Sequence, residues 1–425
     1  MNESIFDELK WRGMIHDQID GVEKLLSEKK VTLYNGFDPT ADSLHVGHMV
    51  PLIALARFQR FGHYVLALAG GGTCMIGDPS GRSAERNLLS REEVLHNVEC
   101  IKKQLAHFLD FDVKSNPAKI VNNMDWLGHL SMLDFLRDTG KYFTINYMLS
   151  KDSVKNRMDR ESGLSFTEFS YMLLQSFDFL HLHKTMGCEL QCGGSDQWGN
   201  ITAGTDLIRK QTGDTVYGLT YPLIKKSDGT KFGKTAGGAV WLDPKRTSTY
   251  KFYQFWLNTD DNDVIHYLKF FTFFDEEKIN ELEYETKEHP EARAAQKALA
   301  LEMTRMMHGE TAVANAQQAS KALFGGDIVG LTAEDIHDIF SEVPSFDMPS
   351  DTFSGDGVNV VDVLSGTGFL KSKGEARRGI QEGGIYVNNN RVTDPSMNIN
   401  ISDFIDGKYL VLRRGKKNYF LLSVK

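Results

Sequence analysis

The sequence predicts an α/β protein: a Rossmann-like parallel-sheet domain over residues 1–245, a helical domain over 246–343, and a small α+β module over 358–425. Three observations carry this reading. An early strand, helix and strand follow one another at the spacing of a βαβ unit. The pattern turns mostly helical after residue 245. The sign of the charge reverses near the C-terminus.

The first strand is Val31 to Phe37, an apolar run reaching its end at Gly36. A loop with Asp38 and Pro39 follows, with Asp42 or Ser43 as the expected N-cap of a helix carrying Val46, Val50, Ile53 and Leu55. The second strand, Tyr64–Ala69, closes on Gly70, Gly71 and Gly72. Strands joined by a helix lie parallel, and a parallel sheet binds ligands beyond its strand C-termini. More αβ pattern continues: a helix over 91–109, a strand at Lys119–Val121, a helix over 165–183, a strand at Cys188–Gln191, and a helix opening near Gln197. Residues 125–160 interrupt it with helical, aromatic-rich sequence, as an insertion would. Beyond 245, Lys251–Asn258, Val264–Phe274 and Ala292–His308 are the clearest helices. Residues 344–357 hold two Pro, two Gly and no Lys or Arg, which reads as a flexible linker.

Of the 425 residues 41% are hydrophobic and 25% charged, an ordinary globular balance. No apolar run approaches the ~20 residues that span a bilayer. The charged start lacks a signal-peptide core, so a cytoplasmic location without membrane attachment is expected. The four cysteines then read as thiols, and Cys188 and Cys192 lack a second ligand pair at zinc spacing, so no metal site is expected. The net charge of −9 hides an asymmetry. Residues 358–425 hold eleven Lys or Arg against six Asp or Glu, a net of +5, which leaves −14 on the other 357. An acidic body with a basic tail points to an appended module for a polyanion.

His45 and His48 stand at i and i+3 in the first turn of the helix after the first strand, on one face. Helix N-termini suit phosphate, and two imidazoles there can donate to its oxygens. Gly47 between them removes a side chain, leaving room for a base or ribose. Alone, this pair could equally be incidental or half a metal site. The run Lys225 to Thr235 places four lysines in a Gly-containing loop, which is a solvated loop or one that closes on phosphates in the transition state. Asp78, before Pro79, is a helix cap or a buried carboxylate that needs a cation. Tyr171, Gln175 and Asp178 form an i, i+4, i+7 stripe among Phe169, Leu173, Leu174 and Phe177, facing either solvent or a cavity. Gly193 and Gly194 end the strand at 188–191, where ribose could approach the backbone and Asp196 accept from it.

In combination these strings resemble the paired signatures of class I aminoacyl-tRNA synthetases: Pro39 to His48 is similar to the H-I-G-H motif, and Lys231-Phe232-Gly233-Lys234-Thr235 to K-M-S-K-S. The intervening residues resemble the bacterial-type tyrosyl enzymes. That resemblance implies activation of L-tyrosine by ATP with Mg²⁺, then transfer to the 3′ end of tRNA(Tyr). It implies that Thr40, His45, His48, Lys231, Lys234 and Thr235 stabilise the departing pyrophosphate, with Arg82 and Arg86 on a loop closing over it. Asp78, Tyr171 and Gln175 would hold the amino-acid ammonium and Gln197 would lie near its carboxylate. Tyr34 and Asp178 would meet the phenolic hydroxyl, so that phenylalanine leaves Asp178 unpaired. Gly36, Asp38, Gly47, Gly194, Asp196 and Lys234 would line the nucleotide, with Asp196 on its ribose. Phe232 and Gly233 replace the class's commoner Met and Ser, and Asn35 a familiar Cys. The tail resembles a small RNA-binding domain first named for a ribosomal small-subunit protein, implying RNA contacts from Lys371, Lys373, Arg377, Arg378, Arg413, Arg414, Lys416 and Lys417. The family also implies a homodimer through residues 125–160.

Overall fold

Five parallel strands form the first sheet of the computed structural model, in the order β3-β2-β1-β4-β5. They are β1 (Thr32–Phe37), β2 (Tyr64–Ala69), β3 (Lys119–Asn122), β4 (Cys188–Gly194) and β5 (Tyr217–Tyr221). The structure describes residues 4–425 except 81–88, 159–162, 231, 236–237, 323–324, 342 and 417. Among the described residues, no helix is long and apolar enough to cross a membrane. The chain divides into two units, Met1–Asp243 with Thr259–Leu299, and Pro244–Asn258 with Ala300–Lys425.

In the first unit, Val65 through Ala69 are all buried, as expected of a central parallel strand covered on both faces. The strand order reverses between β1 and β4, so the connections leaving these two strands diverge and open a crevice beyond their C-terminal ends. The helix Phe166–Met186 leads into β4; Ser165 caps its start by accepting from Glu168 N, and Gly187 ends it in the left-handed region at φ 62°. The segment after β1 departs from expectation. Neither Asp42 nor Ser43 caps the helix; His45 does, ahead of a single 3₁₀ turn at Val46–His48 that runs into the helix Met49–Arg60. Ser43 is buried instead, donating to Leu44 O and accepting from Gln104 Nε2 and Asp243 N. It ties the loop after β1 to two distant segments.

Two buried arginines hold the helix Asp261–Phe271 against this unit. Arg57 donates to the carbonyls of Lys269, Phe270 and Thr272, and Arg12 to those of Lys269, Thr272 and Phe274. Guanidinium groups at a helix C-terminus meet both its unpaired carbonyls and its negative dipole end. The expected insertion forms short helices at Met124–Leu127, Met132–Asp138, Ile145–Leu149 and Asp152–Met158. Met132 and Leu133 on it are 70% and 80% exposed.

In the second unit a sheet runs in the order 390–391, 385–387, 409–414, 418–424 and 345–348, with only the last pair parallel. Its far strand, Ser345–Met348, corrects the expectation of a flexible linker at 344–357. Those residues pair with Leu421 to Val424, and Phe353 is buried in the same core as Val360, Leu364, Ile380 and Leu412. The Gly and Pro content there reflects tight turns between ordered elements. The other face of the sheet, through Val411, Tyr419 and Leu421, packs with Ala319, Ile336, Ile339 and Phe340. The helical stretch 246–343 is therefore not one domain of its own. Residues 259–299 belong to the first unit and the rest to the second, and the boundary falls inside the helix Ala294–Ala322, which breaks its helical geometry at Gly309.

Candidate active site

A cavity of about 290 Å³ lies beyond β1 and β4. It brings together thirteen residues that sequence reading proposed: Tyr34, Gly36, Asp38, Thr40, His45, His48, Asp78, Tyr171, Gln175, Asp178, Gly194, Asp196 and Gln197. The polar stripe Tyr171, Gln175, Asp178 thus faces a cavity and not solvent.

At its deep end, Asp178 is 1% exposed. A carboxylate in that position needs donors, and it has two: Trp126 Nε1 donates to Oδ1 at 2.7 Å, and Asn123 Nδ2 to Oδ2 at 2.9 Å. Burial pushes its pKa up to about 7, against the opposing pull of those two donors. Beside it, the buried Tyr34 Oη has no hydrogen-bond partner among the described residues. This modifies the expectation that phenylalanine would leave Asp178 unpaired. Both Asp178 oxygens already accept one bond, and the group kept without a partner is the Tyr34 hydroxyl. Each carboxylate oxygen retains accepting capacity, so an incoming hydroxyl can donate to Asp178 while accepting from Tyr34.

Nearer the mouth, Asp78 accepts from Gln197 Nε2 at 2.7 Å and from Ser80 N at 2.9 Å. The second bond is the local turn of an Asx-Pro sequence, so Asp78 is both a turn residue and a cavity acid. Gln175 and Gln197 each accept from Asn200 Nδ2, which fixes their amide oxygens. Asp38 accepts from Tyr171 Oη and Thr73 Oγ1. A Cβ on Gly70 would stand 2.2 Å from the Asp38 carboxylate, so any other residue there would displace the Asp38 side chain. Burial and then the Asp78 charge raise the pKa of Asp196. This acid-rich end favours a cation.

The two signature strings meet structurally. Val46 N donates to Val240 O and Leu242 N to Leu44 O, so residues 240–242 run alongside 44–46. That pairing brings Gly233, at φ 78°, against Val46, where a Cβ would be 3.0 Å from its methyl. Phe232 stacks on Phe271 and meets Tyr267 edge-on, and Ser227 N donates to Asp263. The aromatic in place of the commoner Met thus anchors the loop to the helix Asp261–Phe271. Lys234 is exposed; Arg82, Arg86 and Lys231, with the Thr235 side chain, lie outside the described residues. His45 Nδ1 accepts from Gly47 N, and His48 Nδ1 from His45 N. With Nδ1 accepting, each neutral ring carries its proton on Nε2 and can donate from it. Gly47 makes room for this: a Cβ there would be 2.8 Å from the His45 ring.

Sequence reading missed Asn123, Trp126, Thr73 and Asn200. Asn123 had a usable signal, because it directly follows β3 at the ligand-binding edge of a parallel sheet. Trp126 had none, since its role depends on the chain turning back across β2 and β1.

In the second unit, Lys371, Lys373, Arg377, Arg378, Arg414 and Lys416 are exposed, while Lys417 lies outside the described residues. Lys373 pairs with Asp362 and Arg414 with Glu375. Arg413 is a correction. It is 7% exposed, donates to Asn389 Oδ1 and Gly415 O, and stacks 3.7 Å over Tyr386. Strand alternation puts it on the same face as Val411, against the helices and away from solvent.

The chain matches the family described as tRNA synthetases class I (W and Y) over residues 26–325, and the tyrosine–tRNA ligase SYY-like C-terminal domain over 335–422. A tyrosine–tRNA ligase of Roseiflexus castenholzii is 57% identical over 421 residues, 99% of each chain. One of Geobacillus stearothermophilus is 53% identical over 98% of each. The structure is similar, at a TM-score of 0.69 and 35% identity, to a C-terminally truncated mitochondrial tyrosyl-tRNA synthetase of Aspergillus nidulans, covering 76% of this chain and 95% of that one. A cavity with an acid-lined aromatic slot at one end and two donor imidazoles at the other, in a chain so similar to these enzymes, has one reading: the chain belongs to the class I tRNA synthetases of the tryptophan and tyrosine family, in its tyrosine–tRNA ligase branch.

Proposed function

We propose the following division of labour for the tyrosine–tRNA ligase reaction. The tyrosine ring enters the slot over β1, its hydroxyl donating to Asp178 and accepting from Tyr34. Its ammonium sits among Asp78, Tyr171 and Gln175, and its carboxylate lies near Gln197. ATP enters as its magnesium complex, a substrate and not a resident cofactor, with its ribose on Asp196 and its base and sugar along Gly36, Asp38, Gly47 and Gly194. The tyrosine carboxylate attacks the α-phosphorus in line, and pyrophosphate leaves. Thr40, the Nε2–H groups of His45 and His48, Lys231, Lys234 and Thr235 meet the growing charge, with Arg82 and Arg86 covering it. A ribose hydroxyl at the 3′ end of tRNA(Tyr) then attacks the tyrosyl carbonyl and releases AMP. Neither step needs a covalent enzyme intermediate. Positioning and electrostatic stabilisation supply the acceleration.

The observation that carries this reading is the buried Asp178, held by two N–H donors beside a Tyr34 hydroxyl with no partner among the described residues. A tryptophan indole brings no hydroxyl for that pair, which speaks against the other amino acid of the family. A site built to bond a substrate hydroxyl can reject the analogue lacking it by ~10⁴–10⁵-fold, a magnitude already known from tyrosyl enzymes themselves. Asp178→Asn should therefore cut kcat/KM for tyrosine by at least ~10²-fold in pyrophosphate exchange while leaving KM for ATP within about twofold. Since burial pushes the Asp178 carboxyl up to about 7, kcat/KM for tyrosine should fall as pH drops through the neutral range and Asp178 takes a proton. Asp178→Asn should lose that acid limb; a variant that kept both the limb and the selectivity would refute the assignment.

The exposed Arg377 and Arg378 on the helix Lys373–Gln381 are proposed to contact tRNA phosphates, joined by Lys371, Lys373, Arg414, Lys416 and Lys417. The double change Arg377→Ala, Arg378→Ala should raise the tRNA KM about tenfold and flatten its salt dependence by about two charges, with pyrophosphate exchange unchanged. Equal loss in both assays would contradict this role. We further propose a cytoplasmic homodimer joined through the exposed apolar side chains Met132, Leu133 and Ile145. Sedimentation should give twice the chain mass of 47.9 kDa, and a monomer at micromolar concentration would exclude it.

A further inference from the structure

Trp126 reaches Asp178 from a helix of only four residues, Met124–Leu127. One helical turn places a backbone but leaves an indole free to swing about its side-chain torsions. Something else must fix the plane of the ring, because an indole that swings away no longer makes a 2.7 Å bond. Trp126 packs against the apolar cluster that contains Tyr34, Leu66, Phe179 and Leu180, and among the described residues a stacked ring is suited to set its plane. The His181 imidazole lies face to face with the indole, ring centroids 4.4 Å apart and planes 16° from parallel. His181 follows Asp178 by three residues on the helix Phe166–Met186, so both project from neighbouring turns of one face. A single rigid helix therefore carries the acceptor and the platform that orients its donor. His181 does not line the substrate cavity; it lines a separate depression of about 270 Å³ with Leu130, Phe135, Phe177 and Leu180.

We propose that His181 is a positioning residue for amino-acid selection: by stacking on Trp126 it aims the indole N–H at Asp178 and so holds the carboxylate ready for the tyrosine hydroxyl. This rests on the assignment of Asp178 to that hydroxyl. The stack requires a flat ring of similar area, not an imidazole as such. Phenylalanine should therefore replace it and alanine should not.

Steady-state pyrophosphate exchange with tyrosine and with phenylalanine tests this in His181→Ala, His181→Phe and Asp178→Asn, the first also in a Trp126→Phe background. In His181→Ala, kcat/KM for tyrosine should fall about five- to tenfold through KM for tyrosine, with KM for ATP and kcat/KM for phenylalanine unmoved. His181→Phe should recover most of the loss. With Trp126→Phe already present, His181→Ala should change nothing further, since the donor it aims is gone. An equal loss for both amino acids, no loss in selectivity, or an additive effect on Trp126→Phe would each overturn the role of His181. If Asp178→Asn kept full selectivity, the tyrosine slot itself would be misassigned and the positioning role would fall with it. Selectivity lost in Asp178→Asn but kept in His181→Ala would sink the positioning role alone.

Discussion

A carboxylate buried beside apolar rings is the constraint around which this fold is arranged. Asp178 costs desolvation free energy, visible in a pKa of about 7, and only partners fixed in advance can offset it. Those partners come from far along the chain. Asn123 lies just past β3 and Trp126 on the turn beyond, while Tyr34, whose hydroxyl stays without a partner among the described residues, stands beside them on β1. The sheet order, with β1 central and β3 two strands away, is what brings them to one helix face. The proposed selectivity would thus be a property of the sheet as much as of any side chain.

The second coupling joins the two signature strings. Residues 44–46 pair with 240–242, so the turn bearing His45 and His48 and the loop bearing Lys234 share backbone hydrogen bonds. Phe232 fixes the loop's other side on Phe271 and Tyr267. Lys234 is thus an exposed lysine on a loop anchored on both sides. This suits groups that act on a leaving pyrophosphate and not on the bound substrate.

Much of this was legible in the sequence because the motifs sit where strand ends force them to sit. The glycine-bounded strands imply the parallel sheet, and a parallel sheet has one ligand-binding edge; His45, Asp78, Asp178 and Asp196 all lie there. The misses share a physical cause, which is that local composition does not reveal tertiary partners. Residues 344–357 have the composition of a linker, yet Phe353 and the strand Ser345–Met348 are held by a sheet formed much later in the chain. Arg413 reads as one cation among several until strand alternation and its neighbour Asn389 turn it inward. His45 acts as its own helix cap because a ring nitrogen replaces the hydroxyl or carboxylate that a cap usually supplies.

In the proposed site, selection of tyrosine depends on an ionised Asp178 receiving the substrate hydroxyl. Titration calorimetry of tyrosine at pH 7, repeated in buffers of differing ionisation enthalpy, measures the protons exchanged on binding. A carboxyl that burial pushes up to about 7 and that becomes held in its charged form must release a substantial fraction of a proton near that pH. Release of that size with tyrosine, and none with phenylalanine, is the expected result. Tyrosine binding without proton release, or with uptake, would contradict an ionised acceptor.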